Sequence, residues 1–382
     1  MLLYIHVPFC RSKCRYCAFY SEPVDETRLH LWADALLIDM RRRSEALGHP
    51  AVRTVFFGGG TPSLVPPVLL GTILDAITDC FVLDDDAEIS MEANPDSLTD
   101  ERAAGFRAAG VNRVSLGVQA LDDHLLKAVG RVHDRVCALR AFRALRRAKF
   151  DNVGIDLIWG LPGETPSGWK AQLLEVTALG PEHLSCYGLT LEEGTPLFRN
   201  RASLALPDEE ASAAMYEEGG ALLEKAGYIQ YEISNYARSG RMCRHNLGYW
   251  LGEDYLGLGP AAVSFLDGRR TSQPADLDVW LSAVRNKREA GMTETLGFRE
   301  RAEELVMLRL RMTDGLRLED YSALTGHDFV ADNRFLIEEL IRQKLAVLKD
   351  GHVSLTRKGM LISNAVIEQC FESIPEKPEI PA

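Results

Sequence analysis

Cys10, Cys14 and Cys17 fall in the stretch FCRSKCRYCAFY, residues 9–20, spaced C-x3-C-x2-C, and Phe19 stands where a further sulfur would continue the pattern. Thiolates are soft ligands suited to zinc or iron–sulfur clusters, and a closed zinc site takes four ligands, usually as two separate pairs. No second pair lies nearby. Three thiolates can instead hold three irons of a [4Fe-4S] cluster, leaving the fourth iron open to a small molecule. Zinc held by the three with His6 or water is the alternative. The remaining cysteines, Cys80, Cys137, Cys186, Cys243 and Cys370, stand singly, so they form no disulfide framework and are expected as small buried hydrophobes.

A second set of candidates sits on strand-like runs. Alternation in AEISMEANP puts Ile89, Met91 and Ala93 on one face and Glu88, Ser90, Glu92 and Asn94 on the other; RVSLGVQA groups Ser115, Gly117 and Gln119, and VGIDLIWG groups Gly154, Asp156 and Ile158. Three consecutive strands thus carry Glu92, Gln119 and Asp156 near their middles or C-terminal ends, where barrel-like α/β folds keep their reactive groups. Together they read as a ligand pocket, since each buried polar side chain must find a partner.

These residues need a scaffold, and the chain alternates apolar runs with helical patterns. LLYIHVPF precedes a helix over 27–47, RTVFFGGG one over 66–78, AEISMEANP one over 99–109, and RVSLGVQAL one over 134–149; NVGIDLIWGLP and HLSCYGLTLE precede helices over 166–179 and 208–226. Six strand–helix pairs predict an α/β fold, a partial (β/α)6 TIM-like barrel over residues 1–235. Residues 236–295 read as a connecting segment. Residues 296–372 read as a winged-helix-like α+β unit of three helices and a hairpin, and 373–382 as a disordered tail.

The cysteine spacing after a first strand resembles the signature of radical S-adenosylmethionine (SAM) proteins, and VFFGGGTP resembles their glycine motif. Within that superfamily the chain is similar to the branch holding oxygen-independent coproporphyrinogen III dehydrogenase and a haem chaperone. The similarity runs from Tyr4 to about residue 260 through IHVPFC, FFGGGTPS, EISMEANPD, VSLGVQAL, VGR and IDLIWGLPGET. It implies the TIM-like barrel of the radical SAM type, a [4Fe-4S] cluster on Cys10, Cys14 and Cys17, and SAM beside Tyr4, Gly59, Gly60, Thr61, Glu92, Gln119, Arg131 and Asp156. The dehydrogenases resemble C-x3-C-x2-C-x-C and carry an extension ahead of the first strand; the chaperone branch has an aromatic residue where this sequence has Phe19. RHNLGYW matches that branch's H-N-x-x-Y-W motif, which implies haem near His245, Tyr249 and Trp250, with Cys243, His245 and Tyr249 all chemically able to ligate iron.

The expectation is therefore a haem chaperone, carrying the cluster and SAM, that delivers haem to apoproteins of the respiratory chain; the alternative is an oxidative decarboxylase of coproporphyrinogen III. A formal charge of −12, from 43 Lys and Arg against 55 Asp and Glu, argues against nucleic acid and anionic lipid surfaces. The winged unit adds no basic footprint and reads as a lid over the barrel or a docking surface for a client. With no apolar run of about 18 residues and no basic leader, a cytoplasmic protein that reaches membranes through its clients is expected.

Overall fold

The computed structural model describes residues 1–377. Six parallel strands, β1 (Leu2–Val7), β2 (Ala51–Gly59), β3 (Val82–Ala93), β4 (Arg113–Gln119), β5 (Val153–Trp159) and β6 (His183–Gly188), pair in chain order. Between and after them run α1 (Glu26–Ala46), α2 (Pro67–Cys80), α3 (Asp100–Ala109), α4 (Arg135–Arg147), α5 (Pro166–Leu179) and α6 (Glu209–Lys225). The helix starts have local causes. Side chains of Asp25, Thr99, Asp134, Thr165 and Asp208 accept from backbone N–H groups of the first turn, while α2 opens on Pro67. Gly110 and Gly180 end α3 and α5 in the left-handed conformation. The six expected units are all present.

Alternation then divides the strand residues. Leu3, Ile5, Val55, Phe57, Met91 and Leu116 point outward into the main core against the helices, each contributing about 1.5–3 kcal/mol by burial. The opposite phase points into the barrel. Register aligns Tyr4 with Phe56, His6 with Gly58, Glu92 with Ser115, and Gly117 with Asp156, so the polar residues of neighbouring strands meet inside.

The sheet does not stop at six strands. On the β6 side it continues antiparallel through β7 (Ile229–Gln230) and β8 (Asn235–Ala237), with β8 next to β6. On the other side, β9 (Tyr255–Leu258) pairs parallel with β1, and β10 (Val263–Leu266), β11 (Arg269–Ser272) and β12 (Met292–Thr295) follow antiparallel. The segment read as a connection thus supplies most of one sheet edge, along with α7 (Arg244–Trp250) and α8 (Leu277–Arg285).

Beyond it, α9 (Phe298–Arg309), α10 (Leu318–Thr325) and α11 (Arg334–Arg342) combine with a wing of β13 (Leu316–Arg317), β14 (Ala346–Lys349) and β15 (His352–Leu355). This unit has its own core around Val306, Tyr321, Ile337 and Val353, which also takes in Tyr216 of α6. Backbone bonds from Ile233 to Arg311 and from Thr313 to Tyr231 fasten it to the barrel's flank. Among the described residues it is no lid, since none beyond Glu192 lines the cavity at the barrel mouth. Ser373 donates to Asn333, Ile374 is buried and Glu376 pairs with Arg299; residues 378–382, the rest of the expected tail, lie outside the described residues. Cys80, Cys186, Cys243 and Cys370 are buried and Cys137 half-buried. No described helix is long and apolar enough to cross a membrane.

Candidate functional site

The loop after β1 carries Cys10, Cys14 and Cys17, all as free thiols, to the C-terminal end of the barrel. Its backbone is braced from two sides: Arg15 N donates to Val129 O, and Leu197 N donates to Arg15 O. The three cysteines line one cavity of about 690 Å³, shared with Gly59, Gly60, Thr61, Glu92, Gln119, Arg131 and Asp156. Seven of the eight residues that the resemblance placed beside SAM therefore stand in one wall. Tyr4 does not line it. Tyr4 lies beneath, its hydroxyl hydrogen-bonded to His6 Nδ1 at 3.1 Å.

Glycine is required twice in the second loop. Gly59 has φ 107°, and a Cβ there would fall 2.5 Å from the His6 ring; a Cβ on Gly60 would fall 2.6 Å from Phe9 O. Gly59 N donates to Glu92 Oε2 at 3.2 Å. Burial and then the neighbouring Asp156 push the Glu92 carboxyl up to about 8, against the pull of Gly59 N–H and Arg113. Asp156 accepts from Ser115 Oγ at 2.9 Å. Gln119 is held at φ 66° where the β4–β5 register slips, a conformation costing a non-glycine residue about 1–3 kcal/mol and common at functional sites.

Two donors face the thiols: Thr61 Oγ1 lies 3.4 Å from Cys10 Sγ, and Arg131 Nη1 lies 3.3 Å from Cys14 Sγ. Arg131 Nη2 donates to Asn94 Oδ1 and Gly117 O, and Asn94 Nδ2 donates to Thr61 Oγ1. Arg131 Nε is buried without a partner, one N–H left over for an acceptor that the protein itself does not supply. Asn94 was not among the sequence candidates for ligand contact, although alternation had placed it in phase with Glu92.

These features fit a [4Fe-4S] cluster. A cluster takes each thiolate on a different iron, so the cysteines must share a rim and not a point. Among the described residues, no three His, Cys, Asp or Glu side chains are gathered to hold a single ion. His6 is also spent, with Nδ1 on Tyr4 and Nε2 on the Tyr20 carbonyl at 3.1 Å, so it is not turned toward the cysteines as the zinc alternative needs.

RHNLGYW lies elsewhere, as α7 across the base of the barrel. Glu88, on the inward face of β3, accepts from Arg244 N and His245 N, and Cys243 Sγ lies 3.6 Å from the same carboxylate. His245 is buried, with Nδ1 2.8 Å from Thr54 Oγ1 and Nε2 3.1 Å from Tyr249 OH. Burial, then Arg113 and Arg53, push its imidazole down to about 3, and burial pushes the Cys243 thiol up to about 12. Trp250 lines a separate, smaller cavity with Phe265 and Arg309. The structure thus does not gather His245, Tyr249 and Trp250 around one open space, and both imidazole nitrogens are occupied. Phe19, by contrast, is 69% exposed and lines the large cavity at the mouth.

A partial barrel with a three-cysteine loop and a glycine turn beside it is the architecture of radical SAM proteins. The family model described as the Radical SAM superfamily matches residues 4–172, and that of the HemN C-terminal domain matches residues 299–362. The chain is 39% identical over 322 residues to the haem chaperone HemW of Synechocystis sp., covering 82% of this chain and 78% of that protein. It is 34% identical to HemW of Bacillus subtilis, covering 95% and 97% of the two chains, and 35% identical to HemW of Escherichia coli, covering 96% and 97%. The solved structure of E. coli coproporphyrinogen III oxidase (HemN), described as a radical SAM enzyme, superposes with a TM-score of 0.83 over 97% of this chain and 89% of that one; at 23% identity this is a likeness of fold. The chain belongs to the radical SAM superfamily and, within it, to the HemW family.

Proposed function

We propose that the protein is a haem chaperone, binding haem and passing it to haem-requiring apoproteins, with a [4Fe-4S] cluster on Cys10, Cys14 and Cys17 and SAM in the adjoining cavity. Its clients would be respiratory haem proteins, met from the cytoplasm at a membrane. The observation that carries the reading is 34–39% identity to HemW proteins over most of both chains. Phe19 supports it, an exposed aromatic side chain at the position where the dehydrogenase pattern continues with cysteine.

When bound, the cluster would supply an open iron and a low-potential electron to SAM. The chain's own residues do the rest. Glu92 and Asp156 offer carboxylate oxygens to hydroxyl donors, Gly59 and Gly60 let backbone approach the ligand, and the spare Arg131 N–H meets a carboxylate. Thr61 and Arg131 hold two of the cysteine sulfurs by donation.

The test is anaerobic reconstitution, followed by haem titration and a coproporphyrinogen III turnover assay on the same sample. A shifted Soret band without turnover is expected, and Phe19→Cys alone should not create turnover. Steady turnover by the unmodified protein without haem binding would install the decarboxylase in its place.

A further inference from the structure

His245 of the RHNLGYW helix is buried, yet it touches the site through a cluster of rings inside the barrel. The His245 ring stacks on Phe56, with centroids 5.0 Å apart and an interplanar angle of 23°; Tyr4 lies against both, 6.3 Å from Phe56 at 19° and 6.5 Å from His245 at 33°. Tyr4 OH meets His6 Nδ1, and His6 Nε2 meets the carbonyl of Tyr20, three residues past Cys17. The cluster starts from fixed points. Thr54 and Tyr249 clamp the two nitrogens of His245, Tyr249 packs edge-on to that ring at 4.8 Å, and Glu88 holds the helix N-terminus. It also ends on one, because His6 fills the space that Gly59 leaves open and its own carbonyl accepts from Trp32 Nε1.

We infer that His245 is a positioning residue for the cysteine loop, acting through Phe56, Tyr4 and His6, and not an axial ligand of haem. A neutral imidazole has one donor and one acceptor nitrogen, and both are in use. Ligating iron would break one of these bonds and draw the buried ring out from between Phe56 and Tyr249. What the motif does instead is hold the Tyr4 and Phe56 rings in place, and through Tyr4 and His6 the Tyr20 carbonyl at the end of the cysteine loop. The inference rests on the cluster assignment proposed above for the role of that loop, but its geometry is a property of the protein alone.

The test is amide hydrogen exchange on the full-length, cluster-free protein at Cys17, Glu22 and Val24, whose N–H groups donate to Cys14, Pro8 and Cys10. Compared with the unmodified chain, His245→Gln should speed exchange at these amides about tenfold, the effect of losing roughly one buried hydrogen bond. Amides of α2 should keep their rates, whereas a merely structural defect would speed both. Thr54→Val and Tyr249→Phe, which each remove one partner of the ring, test the same link if the histidine variant does not fold. Unchanged exchange in the loop would overturn the inference. So would a His245→Gln protein with an altered haem ligand signature and wild-type loop protection. Iron and sulfide counts on the reconstituted unmodified protein are read separately; their absence would refute the cluster assignment and leave the exchange result to decide the link from His245 to the loop.

Discussion

Replacing Glu92 by Gln should remove a pH dependence of stability that the wild-type chain carries. Glu92 has a carboxyl pushed from 4.5 to about 8 in the folded state, first by burial and then by Asp156. The folded protein therefore holds a proton at pH values where the unfolded chain has released it. The stability this gives is fully present below about pH 4.5 and is lost as pH rises toward 8. At 1.36 kcal/mol per pKa unit the full difference is about 5 kcal/mol. Glu92 lines an open cavity, and solvent there reduces the figure, so roughly 2 kcal/mol is expected over the whole range. Glu164, pushed up to about 7 by burial, slopes the same way, which is why the variant and not the curve itself isolates Glu92. Urea unfolding of ligand-free protein at pH 5.5 and 8.5, in wild type and Glu92→Gln, reads most of the difference. The wild type should lose about 1.4 kcal/mol more than the variant between the two pH values. Equal losses in the two proteins would show that Glu92 titrates normally and that the cavity floor is far wetter than its packing indicates.

Alanine at Cys10, Cys14 or Cys17 removes a thiolate that no neighbouring cysteine can replace, so iron and labile sulfide should fall together, while Cys80→Ala, in the helix-side core, leaves both unchanged; a normal cluster spectrum in the triple variant would contradict the assignment. Asp156→Ala should weaken SAM binding by about 1–3 kcal/mol with iron content unaltered, measured by anaerobic calorimetry.

The barrel was legible because its signals are local and repeated. Each strand alternates in phase with its neighbours, and five of the six helices begin at Asp or Thr, so periodicity and caps locate the elements to within a few residues. Alternation alone also gathered Glu92, Gln119 and Asp156. The edge strands were missed because RRTS and MTET are short, the first largely half-exposed and the second exposed throughout, leaving no period to read; the Asp267–Gly268 turn between β10 and β11 was the available signal. The place of RHNLGYW could not be read at all. A histidine beside aromatics has the same sequence whether it faces a ligand or closes a barrel, and only the partners Thr54 and Glu88, from strands far away in the chain, decide between the two. The winged unit raised the same difficulty: its helices and hairpin are local, but its seat on the flank depends on Tyr216 and Ile233.

The unusual state of Glu92 connects the cavity wall to ligand capture. Two carboxylates face one cavity; Arg131 is committed to Asn94, Gly117 and Cys14, and Arg113, shared among Cys243, Glu88 and Asp156, pulls Glu92 down less than burial and Asp156 push it up. Glu92 therefore remains mostly protonated at neutral pH until something supplies donors. A ligand presenting hydroxyl groups does so, and hydrogen bonds to the ionised form pull the pKa back down. SAM binding at pH 7 should then release a proton from Glu92, by up to about one per site, and raise affinity as pH rises toward 8. Calorimetry in two buffers of different ionisation enthalpy counts that proton directly, and Glu92→Gln should reduce the count to near zero. Release of the same proton by the variant would place it on another group, and the pairing of Glu92 with Asp156 would then be a feature of the fold alone.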